Sequence, residues 1–134
     1  MNPSDRVDEL VAEAREMWDR AYAPYSSFRV GAAVLAGGKV FGGANIENAS
    51  YPLSVCAERN AVAAAVLAGE RSIEAVAVVA GDEEPTPPCG GCRQVLNEFG
   101  PEMLVVCEST SGRRAEWTLS AILPQAFGPS NLGL

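Results

Sequence analysis

Three cysteines and one glutamate are the residues of this chain best suited to chemistry. Cys56 and Glu58 are separated by a single residue, and Cys89 and Cys92 follow in the later sequence Pro-Cys-Gly-Gly-Cys. Zinc is bound tetrahedrally by thiolates or imidazoles, and three protein ligands leave the fourth position open for water or substrate. A carboxylate beside such a site can carry protons to and from the water. The spacing therefore predicts a catalytic zinc site formed by Cys56, Cys89 and Cys92, with Glu58 as its proton carrier.

The same residues also have simpler interpretations. A Cys-x-x-Cys pair at the start of a helix is typical of thioredoxin-like redox proteins, although that leaves Cys56 and Glu58 without a role. A glutamate in the first turn of a helix is often an exposed residue that the helix dipole stabilises. Its position two residues after a candidate ligand favours catalysis instead. Cys107 lies in an apolar segment without a nearby partner, so we expect an inert core residue outside the site.

The elements that must position these residues begin with a helix and a hairpin. Apolar residues at helical spacing predict a first helix, with Ser4 as its N-cap and its end near Pro24. Residues 28–36 and 40–46 are rich in apolar and β-branched side chains, and Gly37-Gly38 between them is a two-residue turn signal. This part of the chain is therefore predicted to form a β-hairpin.

The second half of the chain alternates between helix and strand patterns. Residues 57–68 are rich in alanine and end at Gly69, which predicts a helix that can pack closely on a sheet. The nearly unbroken apolar run 73–80 indicates a strand covered on both faces. Residues 91–99 predict another helix, and 103–107 another strand. A hairpin followed by helix-strand-helix-strand predicts an α/β fold with the sheet between helices.

All three candidate ligands fall at the beginnings of predicted helices. Unpaired backbone N–H groups and the helix dipole favour the thiolate there and lower the pKa of the thiol. Three thiolates around one zinc still leave a net negative charge, which weakens the acidity of a water on the metal. Arg59, three residues after Cys56, is the leading candidate to offset that charge, although a solvated surface arginine is the simpler interpretation. Arg93 is a second candidate.

Length and composition limit the kind of protein that carries this site, its partners and its location. At 134 residues with 48% hydrophobic content, the chain is predicted to be a single domain, 1–134, with a packed core. Its formal charge of -7 and pI near 4.5 argue against a nucleic-acid partner. No apolar stretch is long enough to span a bilayer, and the N-terminus carries acidic residues where a signal peptide would be basic. We therefore expect a cytoplasmic protein with a small substrate and no membrane partner.

Four segments resemble the small, homotetrameric enzymes of the cytidine and deoxycytidylate deaminase family. They are PYSSFRVGAAV (24–34), NIENASYPLSVCAERNA (45–61), PCGGCRQVLNEFG (88–100) and LPQAF (123–127). The resemblance implies a three-layer α/β/α sandwich with a central mixed sheet of about five strands, and one zinc ion per subunit. Many relatives use histidine as the first ligand, but this chain contains no histidine, so Cys56 implies the three-cysteine variant.

The resemblance also implies a reaction. In these hydrolases, which act on a cyclic amidine C–N bond, a zinc-bound hydroxide attacks the ring carbon that bears the exocyclic amine, and Glu58 would shuttle the protons. Cytidine and 2'-deoxycytidine would become uridine and 2'-deoxyuridine, with release of ammonia, in pyrimidine salvage. One alternative is a deaminase of another aminopyrimidine, such as blasticidin S. Another is a noncatalytic zinc module with a closed four-ligand site, to which Cys107 could contribute only if its strand reaches the helix starts.

Substrate contacts are implied position by position. Asn45 and Glu47 match the ribose-binding pair, Phe28 matches the aromatic residue that packs against the pyrimidine, and the backbone of Ala57 would contact the base. Without the resemblance, Asn45 and Glu47 would be read as part of an ordinary polar loop, and Phe28 as a core residue.

Two aromatic residues match positions that act across subunits. Tyr51 and Phe127 resemble residues that reach the active site of a neighbouring subunit in a homotetramer, although both could equally pack within one chain.

The sequence departs from the commonest pattern of the family at Arg29 and Asn60. Neither position belongs to the predicted zinc site or to proton transfer.

Overall fold

The computed structural model of the chain describes residues 2–134. Within that range five strands form a single sheet in the order β2-β1-β3-β4-β5. The helices and strands, in chain order, are α1 (Val7–Asp19), β1 (Gly31–Ala36), β2 (Lys39–Ala44), α2 (Ala57–Leu67), β3 (Ala75–Val79), α3 (Gly90–Phe99), β4 (Leu104–Glu108), β5 (Arg114–Thr118) and α4 (Leu119–Ile122). Short 3-10 turns lie at Pro3–Arg6, Tyr51–Leu53 and Pro129–Leu132.

The first helix buries the apolar stripe that predicted it, but its ends differ from the prediction. Ser4 is not its N-cap, because Ser4 belongs to the preceding 3-10 turn and donates its own N–H to the Asn2 side chain at 3.1 Å. The helix ends at Asp19 rather than near Pro24. Beyond that point Tyr22 pairs with Ile46 in an isolated β-bridge, and residues 24–26 form a turn.

The sheet is mixed, as the resemblance implied. β1 is antiparallel to both β2 and β3, β3 is parallel to β4, and β5 is antiparallel to β4. The predicted hairpin turn is confirmed, since Gly37 and Gly38 have φ of 59° and 75°, a left-handed conformation that glycine adopts without steric cost.

Helices cover both faces of the sheet, and this confirms the three-layer α/β/α arrangement. Alternate residues of β1 point to opposite faces, so that Ala32 and Val34 pack with α2 while Ala33 and Leu35 pack with α1. Glycines let the helices approach closely: a Cβ on Gly43 would lie 2.7 Å from the carbonyl oxygen of Ala57, within the first turn of α2.

The pattern of apolar residues does not predict the fifth strand. β5 lies at one edge of the sheet, and its residues alternate between exposed and half-buried. Its sequence, Arg-Ala-Glu-Trp-Thr, carries charges at the exposed positions, which is typical of an edge strand.

Strand direction brings two helix starts to the same edge of the sheet. Both β2 and β3 run antiparallel to β1, so they are parallel to each other although β1 lies between them. α2 follows β2 and α3 follows β3, so both helices begin on the side of the sheet where the carboxyl ends of these two strands lie. In the part of the chain that the structure describes, none of the helices combines the length and apolar character that crossing a membrane requires.

Candidate active site

The sulfur atoms of Cys56, Cys89 and Cys92 meet where α2 and α3 begin. Cys56 is the N-cap residue of α2, Cys89 is the N-cap residue of α3, and Cys92 lies in the first turn of α3. Their Sγ atoms all lie within 4.8 Å of one another, and among residues 2–134 this is the single group of three or more potential ligands. Cys107 is fully buried on β4 and is not part of the group.

The sulfur cluster is compatible with zinc in both its donor set and its charge. The pKa of Cys56 falls to about 5, chiefly because the Cys92 thiol donates a hydrogen bond to it, with further help from Cys89 and the charge of Arg59. The pKa of Cys92 is raised above its ordinary value, because its proton is held by Cys56 and its side chain is buried. A divalent ion replaces such shared protons when thiolates bind it.

Arg59 and Arg93 occupy different environments near the cluster. The guanidinium of Arg59 donates to the carbonyl of Ser54 at 3.3 Å, and its positive charge helps to lower the pKa of Cys56. Arg93 donates instead to the carbonyls of Pro88, at 2.7 Å, and Ile122, at 2.8 Å. Its hydrogen bonds therefore hold the segment before Cys89 against the end of α4.

Glu58 is buried beside the cluster rather than exposed on the helix surface. Only 5% of it is accessible to solvent, although it lies in the first turn of α2. Burial raises its pKa to about 7, and the neighbouring charge of Cys56 acts in the same direction. A carboxyl group with a pKa near neutrality is suited to both accepting and donating a proton.

One cavity of about 310 Å³ brings four of the six predicted substrate residues to Glu58 and two of the three cysteines. Of the predicted residues, its lining includes Phe28, Asn45, Glu47, Cys56, Ala57, Glu58 and Cys89. Sequence reasoning did not identify the lining residues Ser26, Val30, Val78, Thr86 and Pro87. Only Ser26 and Thr86 offered a local signal, as hydroxyl residues close to Phe28 and to the Pro-Cys-Gly-Gly-Cys sequence.

Asn45 and Glu47 both bind the segment that carries Phe28. The side chain of Asn45 accepts the N–H of Val30 at 2.9 Å and donates to the carbonyl of Phe28 at 2.9 Å. Glu47 accepts the N–H groups of Tyr25 and Ser26. The two residues therefore form one wall of the cavity as well as being candidates for substrate contact.

Tyr51 and Phe127 do not line this cavity. Tyr51 is 71% exposed, and its ring lies 6.0 Å from that of Tyr25 beside a second cavity, which also includes Glu47. Phe127 is 59% exposed, and its carbonyl accepts a hydrogen bond from Gln94.

The two departures from the family pattern have structural contacts. The guanidinium of Arg29 lies 5.6 Å from the ring centroid of Trp18, within range of a cation–π interaction. Asn60 donates to the carbonyl of Ala44 at 2.8 Å and so ties the first turn of α2 to the end of β2.

Known proteins resemble this chain in both sequence and fold. The family model described as "Cytidine and deoxycytidylate deaminase zinc-binding region" matches residues 4–108. The chain belongs to this deaminase family. Among its members, the cytidine deaminase of Sporosarcina psychrophila is 46% identical over 128 residues, which are 94% of each chain. That of Halalkalibacterium halodurans is 49% identical over 120 residues, 88% of this chain and 91% of the relative.

Solved structures of the family agree with the fold described above. The crystal structure of cytidine deaminase from Burkholderia pseudomallei has a TM-score of 0.86 and 45% identity, and the match covers 90% of this chain and 98% of that one. The enzyme from Mycobacterium tuberculosis has a TM-score of 0.79 and 40% identity, with 91% and 97% covered. The predicted fold class is confirmed.

Proposed function

We propose that this chain catalyses the hydrolytic deamination of cytidine and 2'-deoxycytidine to uridine and 2'-deoxyuridine, with release of ammonia. The observation that carries the proposal is the single cavity in which Glu58 and the cysteine cluster meet Phe28, Asn45 and Glu47. Relatives of nearly the same length that are named cytidine deaminase support the choice of substrate. A role in pyrimidine salvage, which the resemblance implies, and a cytoplasmic location remain predictions.

Cys56, Cys89 and Cys92 are proposed to hold one zinc ion per chain. When bound, zinc supplies an open position at which a water becomes acidic enough to act as a nucleophile near neutral pH. The starts of α2 and α3 and the guanidinium of Arg59 would offset the charge of the thiolates. A closed site with Cys107 as fourth ligand is disfavoured, because Cys107 lies outside the cluster.

Glu58 is proposed to move the two protons that the reaction requires. It accepts a proton from the attacking water and passes it to the ring nitrogen adjacent to the attacked carbon. It then takes the proton of the new hydroxyl group and delivers it to the amine, so that the C–N bond breaks, ammonia leaves and a carbonyl forms. A buried carboxyl group with a pKa of about 7 suits both transfers.

The remaining cavity residues are proposed to bind the nucleoside. Phe28 packs against the pyrimidine ring, and the backbone of Ala57, which lines the same cavity, contacts the base. Asn45 and Glu47 retain free hydrogen-bonding capacity for the hydroxyl groups of the sugar.

A homotetramer with active sites at its interfaces is part of the proposal, as is a single catalytic domain over 1–134. The homotetramer is supported by the exposure of Tyr51 and Phe127, two large aromatic side chains that pack little within their own chain. Light scattering coupled to gel filtration measures the assembly directly. A monomer that retains full activity would exclude a contribution of these residues across subunits.

The test of function is an assay on three substrates. Purified protein is incubated with cytidine, deoxycytidine and blasticidin S, with and without a zinc chelator, while ultraviolet absorbance and ammonia are followed. We expect turnover of the two nucleosides and its loss with the chelator. Turnover of blasticidin S alone would favour the alternative deaminase, and no turnover of any substrate would overturn the proposal.

A further inference from the structure

The turn before Phe28 is attached to Glu47 through the hydroxyl group of Ser26. Ser26 Oγ is within hydrogen-bond distance of Glu47 Oε2, and it also accepts the backbone N–H of Phe28 at 3.0 Å. A backbone N–H can only donate, so the hydroxyl proton of Ser26 is free to point at the carboxylate. Ser26 thereby links the aromatic wall of the cavity to the candidate sugar-binding residue.

The hydrogen bonds of Glu47 determine where a sugar hydroxyl can bind. Its Oε1 atom already accepts two N–H groups, from Tyr25 at 3.0 Å and from Ser26 at 3.1 Å. A carboxylate oxygen has two lone-pair directions, so Oε1 is fully used while Oε2 has one direction left. The oxygen that remains available to a substrate is therefore the one that the Ser26 hydroxyl contacts.

We propose that Ser26 is a positioning residue that orients Glu47 Oε2 toward a hydroxyl group of the substrate's sugar. The proposal rests on the function proposed above and extends it to the choice between substrates. A nucleoside that carries sugar hydroxyls gains from the orientation of Glu47, whereas one without them does not. Ser26 therefore contributes to the preference for hydroxylated nucleosides.

Two further observations support this role. The pKa of Glu47 lies below its usual value, chiefly because of the hydrogen bond from the Ser26 side chain, so the carboxylate stays ionised as an acceptor. Ser27 has a φ of 59°, a left-handed conformation that costs energy for a residue other than glycine. Two backbone hydrogen bonds hold the turn in this conformation. The N–H of Ser26 donates to the Glu47 carboxylate, and the N–H of Ser27 donates to the carbonyl of Ala23.

Loss of the Ser26 hydroxyl should affect the sugar more than the base. Phe28 has a second anchor, because Asn45 accepts the N–H of Val30 and donates to the carbonyl of Phe28. The wall that packs on the pyrimidine therefore keeps its position when Ser26 is changed. Glu47 Oε2, by contrast, loses the hydrogen bond that orients it.

The experiment compares cytidine with 2',3'-dideoxycytidine in wild type, Ser26→Ala, Ser26→Thr and Ser27→Ala. The readout is the ratio of kcat/KM for cytidine to that for the dideoxynucleoside. We expect Ser26→Ala to lower this ratio by about three- to tenfold, the effect of one partly exposed hydrogen bond to a charged group, mainly through KM for cytidine. Ser26→Thr keeps the hydroxyl and should restore the ratio. Ser27→Ala is the matched control: it removes a hydroxyl group from the same turn, and Ser27 faces a different cavity, which is also lined by Trp18, Phe28 and Arg29.

The outcomes separate this proposal from the proposed function. An unchanged ratio in Ser26→Ala, or an equal fall in Ser27→Ala, would overturn the role of Ser26 while leaving the deaminase intact. If the wild type turns over neither nucleoside, the proposed function fails. In that case calorimetry measures the dissociation constants of the two nucleosides, and their ratio replaces the ratio of kcat/KM. A wild type that binds both equally would also refute the positioning role.

Discussion

Gly43 controls how closely the helix that carries Cys56 and Glu58 packs on the sheet, and Gly43→Ala tests this contact. An added Cβ would lie 2.7 Å from the carbonyl oxygen of Ala57 and closer still to the backbone nitrogen of Ala61. Ordinary contacts begin near 3.4 Å, so the first turn of α2 must retreat by about 0.7 Å or more. Backbone atoms of a helix cannot move aside individually, so the whole turn must shift.

The shift should reduce both activity and stability. A displacement of this size in a catalytic constellation costs about 10- to 100-fold in rate, and overpacking of a core costs about 1–3 kcal/mol in the free energy of unfolding. We therefore expect kcat/KM for cytidine to fall at least tenfold and the melting temperature to fall by about 4 °C or more. Steady-state kinetics, calorimetry and zinc analysis measure these effects.

The matched control is Gly91→Ala, on the other ligand-bearing helix. A Cβ on Gly91 meets no atom within 4 Å, so the same methyl group is added in open space. We expect this variant to keep its activity and its melting temperature. Near-normal activity and stability of Gly43→Ala, or equal losses in both variants, would refute the assigned role of close packing at Gly43.

Three further changes test the zinc site. Arg59→Ala should lower zinc affinity or kcat by about 10- to 100-fold with the fold retained, because a charge that offsets the thiolates is lost. Metal titration and kinetics measure this, and Arg71→Ala, in the loop after the C-terminal end of α2, should match wild type. If Arg59→Ala behaves as wild type in both assays, the role of Arg59 is wrong. Cys107→Ala should bind zinc with the stoichiometry of the wild type by elemental analysis, whereas a lower zinc content would place Cys107 among the ligands. Chelation of zinc should abolish turnover and lower the melting temperature until zinc is restored, and a melting temperature insensitive to the metal would contradict binding at the junction of two helices.

The local features of the fold could be predicted because short stretches of sequence determine them. Gly37-Gly38 formed the expected turn, since each residue adopts a positive φ that few others tolerate. The apolar run of β3 is buried on both faces as expected. The apolar pattern does not predict β5, because an edge strand buries only one face and the charged residues of β5 interrupt the pattern. The end of α1 was misplaced because Tyr22 pairs with Ile46, a contact that depends on the tertiary structure.

The chemistry of the candidate site was easier to predict than its architecture. Cysteine spacing and helix starts predicted that Cys56 would join Cys89 and Cys92, and the structure brings the three sulfur atoms together. The sequence did not reveal that β1 lies between the strands that precede α2 and α3, because pairing order is a nonlocal property. The link between Ser26 and Glu47 was not predicted for the same reason, as it joins two loops through side chains that are remote in sequence.

Glu58→Gln is the most direct test of the central claim, that a buried carboxyl group beside a three-cysteine zinc site drives deamination. Glutamine has nearly the same shape as glutamate but cannot carry the proton, so zinc binding should persist while turnover is lost. We expect zinc content equal to that of the wild type and a fall in kcat for cytidine of about 10²- to 10⁴-fold. Near-normal turnover by a Glu58→Gln protein with its full complement of zinc would contradict the account.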